Sequence, residues 1–182
     1  GDDPTVKTVL EYATELGAVW INRIRSEGLE AIVFDSTASP PMCSPTMYRT
    51  HIVPLHRRVM RLLTEAGKKA PPLILGGNTV PIVSDIIAVG AGTVICDYVA
   101  DAEEFASALP TTASDSVCVR RNVNPALFTA TGGDIDTEAK RYVADLSRFT
   151  DRLAGTGILP FDADPERYRR FRRRVEALWE GR

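Results

Sequence analysis

Five short apolar runs punctuate the chain, at residues 31–34, 73–75, 93–96, 117–119 and 157–159, and each stops at a small polar cluster. The stops are Asp35 and Ser36, then Gly76, Gly77 and Asn78, then Asp97, then Arg120, Arg121 and Asn122, and last Phe161 and Asp162. Runs of this length, rich in Val, Ile and Leu and separated by helical stretches, predict parallel strands covered on both faces. The spacing between them predicts helices over 5–27, 45–66, 80–89, 102–109 and 137–154, with a last one after Pro165. In the first helix Val6, Val9, Leu10, Ala13, Leu16 and Trp20 recur at helical intervals. Asp3 with Pro4, and Asp164 with Pro165, read as N-caps followed by a proline in the first turn, and Gly28 ends the first helix. Pro54 inside the second predicts a kink or break. Residues 37–45 form a loop with three prolines and Cys43, and 111–116 is a polar connection. The fold class is therefore α/β, with about five parallel strand–helix units. Such folds open their ligand crevice at the C-terminal strand ends, so the stop residues are the first candidates for chemistry.

Composition narrows the classes. At 182 residues the chain has the length of one domain, so a single unit over 1–182 is expected. A net charge of -2 gives no global attraction to nucleic acid or an anionic membrane. No apolar run approaches the roughly 20 residues that span a bilayer. Cys43, Cys96 and Cys118 are far apart and form no CxxC, which fits free thiols in a reducing, cytoplasmic compartment. Gly1 reads as a residue left by tag removal.

Taken in order, the strand-end segments resemble the uroporphyrinogen decarboxylase superfamily, which also contains the zinc-dependent corrinoid and coenzyme M methyltransferases. The segments are FDSTASPPMCSPTMY (34–48), LILGGNT (73–79), GAGTVICDYVADAEEF (90–105), RRNVNPALF (120–128) and GILPFDADPERYRRF (157–171). They look like the family's strand end followed by a Ser-Pro helix start, its His-x-Cys-Gly-Asn segment, its strand ending in Asp, its Gly-Asn-x-Asp-Pro-x-x-Leu, and its last strand and helix. The resemblance implies a (β/α)8 barrel of which this chain matches roughly the last five units, a partial TIM-like barrel. The decarboxylases' N-terminal arginines and catalytic aspartate have no counterpart in it.

Zinc is not expected. Where the methyltransferases place ligands this chain has Ile74, Gly76 and Phe161, and none offers a thiolate or imidazole. His51 and His56 are five apart on a helix expected to be exposed, a poor ligand pair. No cofactor is expected either.

Each candidate has a functional and a purely structural reading. Asp35 and Ser36 end the first strand; the resemblance implies that Ser36 contacts substrate, whereas a capping turn needs the same residue types. Asp35 and Asp97 are the catalytic candidates, and Asp97 suits a turn cap equally well. Asn78, after two glycines, fits a ligand contact or an N-cap. Arg120 and Arg121 at a strand end imply a carboxylate or phosphate partner, or an internal salt bridge, and Asn122 joins them as a binding candidate or a loop builder. Six arginines between 167 and 174 read as a solvated face, because Tyr168, Phe171, Val175 and Leu178 keep an apolar stripe.

Three functions follow from these features. The first is a metal-free, uroporphyrinogen decarboxylase-like domain acting on or binding a tetrapyrrole or related small carboxylated substrate. The second is a zinc-less relative of the corrinoid-dependent methyltransferases, with a corrinoid protein as partner. The third is a non-catalytic half-barrel interaction module. Five strands cannot close a barrel, so exposed strand edges and apolar surface predict a homo-oligomer.

Overall fold

In the computed structural model, which describes residues 3–40, 42–64, 70–111 and 117–181, five strands run parallel in chain order. β1 (Val33–Phe34) pairs with β2 (Leu73–Ile74), and β3 (Thr93–Cys96) with β4 (Cys118–Val123), which pairs in turn with β5 (Arg152–Thr156). A parallel bridge between Pro72 and Thr93 joins the two sets. The register puts Cys96 beside Arg121 and Asn122 beside Gly155. Helices connect every strand to the next, as in consecutive units of a β/α barrel.

The caps read from sequence are present. Asp3 accepts from the Thr5 amide at the start of α1 (Pro4–Ser26), and Asp164 caps α7 (Pro165–Glu180). The second predicted helix is interrupted. α2 (Pro45–Met47) passes into a π-helical turn (Tyr48–Ile52) before α3 (Val53–Thr64). Pro54 has no N–H to return to the preceding turn and its ring crowds that turn, so the chain widens there. The predicted end of this helix at 66 and residues 112–116 of the polar connection lie outside the described residues. A 3-10 turn (Val80–Ile82) leads into α4 (Val83–Ala88), and α5 (Ala102–Ala108) follows β3.

Three expectations fail in the C-terminal half. The last strand is Arg152–Thr156, not 157–159; Ile158 is 89% exposed and Phe161 lies wholly in solvent. The preceding helix, α6 (Ile135–Leu146), therefore stops short of 154. β4 in turn runs past the apolar run 117–119 and through Arg120, Arg121 and Asn122, so these three are strand residues and not a loop after it.

Two apolar clusters fill the space between sheet and helices. One joins Leu73, Val94, Cys96 and Val119 to Met60, Ile82, Val83, Ile86, Phe105 and Phe149. The other packs Val123 with Phe128, Ile135, Tyr142 and Phe171, whose rings meet edge to face 5.4–5.5 Å apart. Successive strand residues point to opposite faces, so Cys118, Arg120 and Asn122 face the inner side of the half-barrel. That side keeps Ile32, Phe34 and Leu153 in solvent. α1 packs on α3 through Thr14 and Ile21 and turns Val6, Val9, Leu16 and Trp20 outward, so its regular apolar spacing marks a surface and not the core. Among the described residues, no helix is long and apolar enough to cross a membrane.

Candidate functional site

At the end of β1 the Asp35 amide donates to the Ile74 carbonyl (3.1 Å), which sets its side chain against α3. There Asp35 Oδ2 lies 3.1 Å from His56 Nε2, and His56 Nδ1 lies 3.1 Å from the Tyr48 hydroxyl. His56 is buried, contrary to the exposed position expected of it, because it shares a helix face with Met60 and Leu63. The π-helical turn between Tyr48 and His56 brings residues eight apart into contact, where a regular helix would separate them by about 12 Å along its axis. Burial pushes the pKa of the Tyr48 hydroxyl up, so it stays protonated and donates to Nδ1. In the neutral imidazole the proton then sits on Nε2 and is donated to Asp35. That hydrogen bond holds Asp35 below the usual carboxylate range against the opposing effect of burial, and Thr37 Oγ1 donates to its other oxygen (3.2 Å). Ser36 is exposed beside this pair.

A belt of hydrogen bonds crosses the remaining strand ends. Ser39 Oγ donates to the Gly76 carbonyl (2.5 Å). The Gly77 amide donates to Asp97 Oδ2 (2.9 Å), at a φ of +77° that only glycine adopts without strain. Asp97 Oδ1 accepts from the Tyr98 amide (2.9 Å) and from Asn122 Nδ2 (3.1 Å). Asp97 is thus a buried acceptor engaged by three donors, tying β2, β3 and β4 together. Asn78 is further out and accepts from the Val80 amide as a turn cap.

The two adjacent arginines part company. Arg121 takes the internal ion pair. It is 3% exposed, its Nη2 and Nε donate to Asp145 Oδ2 of α6 (2.9 and 3.2 Å), and Nη1 donates to the carbonyls of Asp97 and Ala100. Arg120 lies on the inner face, passes over Gly155 and donates through Nη2 to the Thr156 carbonyl (3.2 Å). Together with Gly155, Thr156, Tyr142 and Tyr168 it borders a pocket of about 390 Å³.

The strand ends thus bring together Asp97, Asn122 and Arg120, and leave Asp35 with Ser36 at the β1 end. His56 and Tyr48 were missed as site residues; the i, i+4, i+7 register of His56, Met60 and Leu63 was the available signal. Among the described residues no three His, Cys, Asp or Glu side chains gather to hold a metal. Ile74 and Gly76 stand at the end of β2 without a ligating atom, so the donor set does not fit the zinc of the methyltransferases. Burial raises the Cys43 thiol and pushes those of Cys96 and Cys118 up to about 11, so none is a ready thiolate.

Residues 2–177 match the family model for uroporphyrinogen decarboxylase (URO-D). A uroporphyrinogen decarboxylase of Chlorobaculum parvum is 28% identical over 144 residues, covering 76% of this chain and 39% of that protein. One from Xylella fastidiosa is 28% identical over 136 residues, covering 73% and 37%. Among solved structures, a methyltransferase from Methanosarcina mazei superposes with a TM-score of 0.71 at 20% identity, over 95% of this chain and 49% of that one. The chain spans less than half the length of each of these proteins.

Proposed function

Because the chain belongs to the uroporphyrinogen decarboxylase family, we propose that its strand-end mouth binds a carboxylated tetrapyrrole, or a related small carboxylated substrate, without a metal. The observation that carries this reading is Arg120. Its side chain starts from the inner face and passes over Gly155, and its guanidinium gives one hydrogen bond to the Thr156 carbonyl and borders a pocket between β5 and α7, an arrangement suited to a carboxylate. Asp97, Asn122 and Gly77 build the rim that holds the mouth open, and Arg121 braces it from behind through Asp145. Asp35, kept ionised by His56, suits accepting an N–H or stabilising positive charge that develops on a substrate; it is a poor proton donor. Ser36 and Asn78 extend the polar lining toward solvent. Decarboxylation in such a mouth rests on positioned polar groups, and the full activity is proposed only together with the rest of a barrel.

Uroporphyrin, a stable octacarboxylate, provides the test. Titration followed by its absorption band should saturate, while its octamethyl ester should bind at least about tenfold more weakly and Arg120→Ala should lose a similar factor. Equal binding of acid and ester, or none of either, removes the reading. The zinc-less methyltransferase alternative rests on likeness of fold alone. As partners we propose the small molecule and a second copy of the chain, since the inner face and α1 leave apolar surface in water.

A further inference from the structure

α1 is amphipathic the wrong way round for a helix that packs only inside its own chain. The face it lays on α3 is its weaker one, with Leu10 and Gly17 half-buried and Thr14 and Ile21 buried. The stronger face is in water. Val6, Val9, Leu16 and Trp20 are each about half exposed or more, and Tyr12 and Val19 beside them are 71% and 65% exposed. These six share one side of the helix, and no charged residue lies among them. Lys7 and Glu11 pair with each other on the far side, and Glu15 pairs with Arg58 of α3. A contiguous apolar patch of this kind marks an interaction surface.

The spacing and the charges of α1 say what fits it. Val6, Val9, Ala13, Leu16 and Trp20 follow one another at intervals of three, four, three and four. That is the a/d spacing by which one helix sets its side chains into the holes of another. The two ends carry opposite charge: Asp3 caps the N-terminus, and Arg23 and Arg25 occupy the last turn. Two copies of the helix lying parallel would set arginine beside arginine and align their dipoles. Lying antiparallel, they bring the acidic N-terminus of one against the basic last turn of the other. The antiparallel register also sets the small Ala13 against Leu16 and Val9 against Trp20, so small and large side chains face each other across the seam. Six side chains from each copy, two of them aromatic, bury on the order of 1,000 Å² in total, the size that specific interfaces reach.

We propose that α1 pairs antiparallel with α1 of a second copy, about a two-fold axis that crosses the helix between Ala13 and Leu16. The inference rests on the reading that a second copy is a partner, and it adds the face and the direction. The pairing leaves the strand-end mouth of each copy open, so it is independent of the carboxylate reading of Arg120. A second copy lying on the inner face would cover Phe34 and Leu153 and leave the α1 seam in water. The self-matching spacing and charge of α1 favour the seam.

The experiment uses the whole 182-residue chain. Sedimentation at micromolar concentration should show a dimer. The chain has two indoles, Trp20 and Trp179. In nitrogen-15 spectra the Trp20 N–H signal should move as the protein is diluted, while that of Trp179 stays. Direction is read by cross-linking with a short bismaleimide. Val9→Cys mixed with Trp20→Cys should cross-link, whereas neither should alone, since antiparallel helices hold like positions roughly 16 Å apart along the seam. The parent chain, with Cys43, Cys96 and Cys118, is the control. Arg23→Glu with Arg25→Glu should weaken the dimer at least about tenfold. The indole signals are read on the unaltered chain, so that outcome does not depend on whether a variant folds. A Val9→Cys chain that links to itself makes the helices parallel and overturns the pairing. A dimer whose Trp20 signal ignores dilution associates elsewhere, so the inference falls while the second-copy reading stands. A monomer throughout removes both, and leaves the stripe to a strand–helix unit of another chain.

Discussion

His56 Nε2 lies 3.1 Å from Asp35 Oδ2, so a buried ring in α3 holds the carboxylate that ends β1. Asp35's pKa is lowered from 3.8 chiefly by that hydrogen bond. A carboxylate depressed by folding contributes stability that is complete above its unfolded value and is lost as pH falls through its folded value. Asp35→Asn should therefore cost about 1 kcal/mol near neutrality, in line with a single hydrogen bond to a charged group in a half-exposed setting. The difference between parent and variant should shrink below the ordinary carboxylate value of 3.8. Urea midpoints measured across that range check it. A difference that stays constant down to acid pH would reject the linkage.

Arg121 is the second test, and it separates support from binding. Its guanidinium is buried with Asp145, and four of its hydrogen bonds end on Asp145, Asp97 and Ala100. Removing one member of a buried pair leaves the other charge unpaired, at about 3–5 kcal/mol. Arg121→Ala should lose that much stability, whereas the double change Arg121→Met with Asp145→Leu should recover most of it. Equilibrium denaturation of the three proteins decides the matter. A loss below 1 kcal/mol, on the order expected of a surface pair, would contradict the buried role.

How far the sequence could be read follows the same physics. β3 is legible to the residue, because it is covered on both faces and its four positions are all suited to strand. The caps at Asp3 and Asp164 are local chemistry, and both begin helices close to where the pattern placed them. β4 was cut short because a buried arginine looks like a strand end; only the ion pair with Asp145, 24 residues on, reveals it as a strand interior. β5 was displaced to an apolar triplet because Arg152–Thr156 is, among the described residues, paired on one side only and has an open inner face, so it carries no apolar run. His56 was hidden by a π-helical turn that shifts the helical phase. A long-range partner decided β4, an open face β5, and a local break in helical phase His56.

Gly77 offers a third prediction. Its φ of +77° strains any other residue, and the Pro40 carbonyl would lie a tight 3.0 Å from an added β-carbon. Gly77→Ala should cost about 1–3 kcal/mol from backbone strain. Because the Gly77 amide donates to Asp97, the strain should also loosen the rim, seen as faster hydrogen exchange at the Tyr98 amide, the second donor to that carboxylate. Unchanged exchange at Tyr98 would show that the belt does not act as one unit.

The last prediction concerns association. β1 and β5 are each paired on one side among the described residues, and the inner face between them exposes Phe34 and Leu153. On α1 a further stripe of Val9, Tyr12, Leu16, Val19 and Trp20 is exposed, with Val19 and Trp20 each at 65%. Monomeric proteins rarely keep apolar patches beyond a few hundred Å² in water, and unprotected strand edges invite pairing. The isolated 19.9 kDa chain should therefore sediment as a dimer or larger at micromolar concentration. Charged substitutions separate the two surfaces. Leu16→Glu with Trp20→Glu should dissociate the assembly if α1 forms the contact, and Phe34→Glu with Leu153→Glu if the inner face does. The two routes differ in consequence, since covering the inner face would also occlude Arg120, whereas association through α1 would leave the strand ends open. Uroporphyrin binding that weakens as protein concentration rises would identify the inner face. A soluble monomer with cooperative unfolding would refute self-association and mean that this half-barrel tolerates its open side unaided.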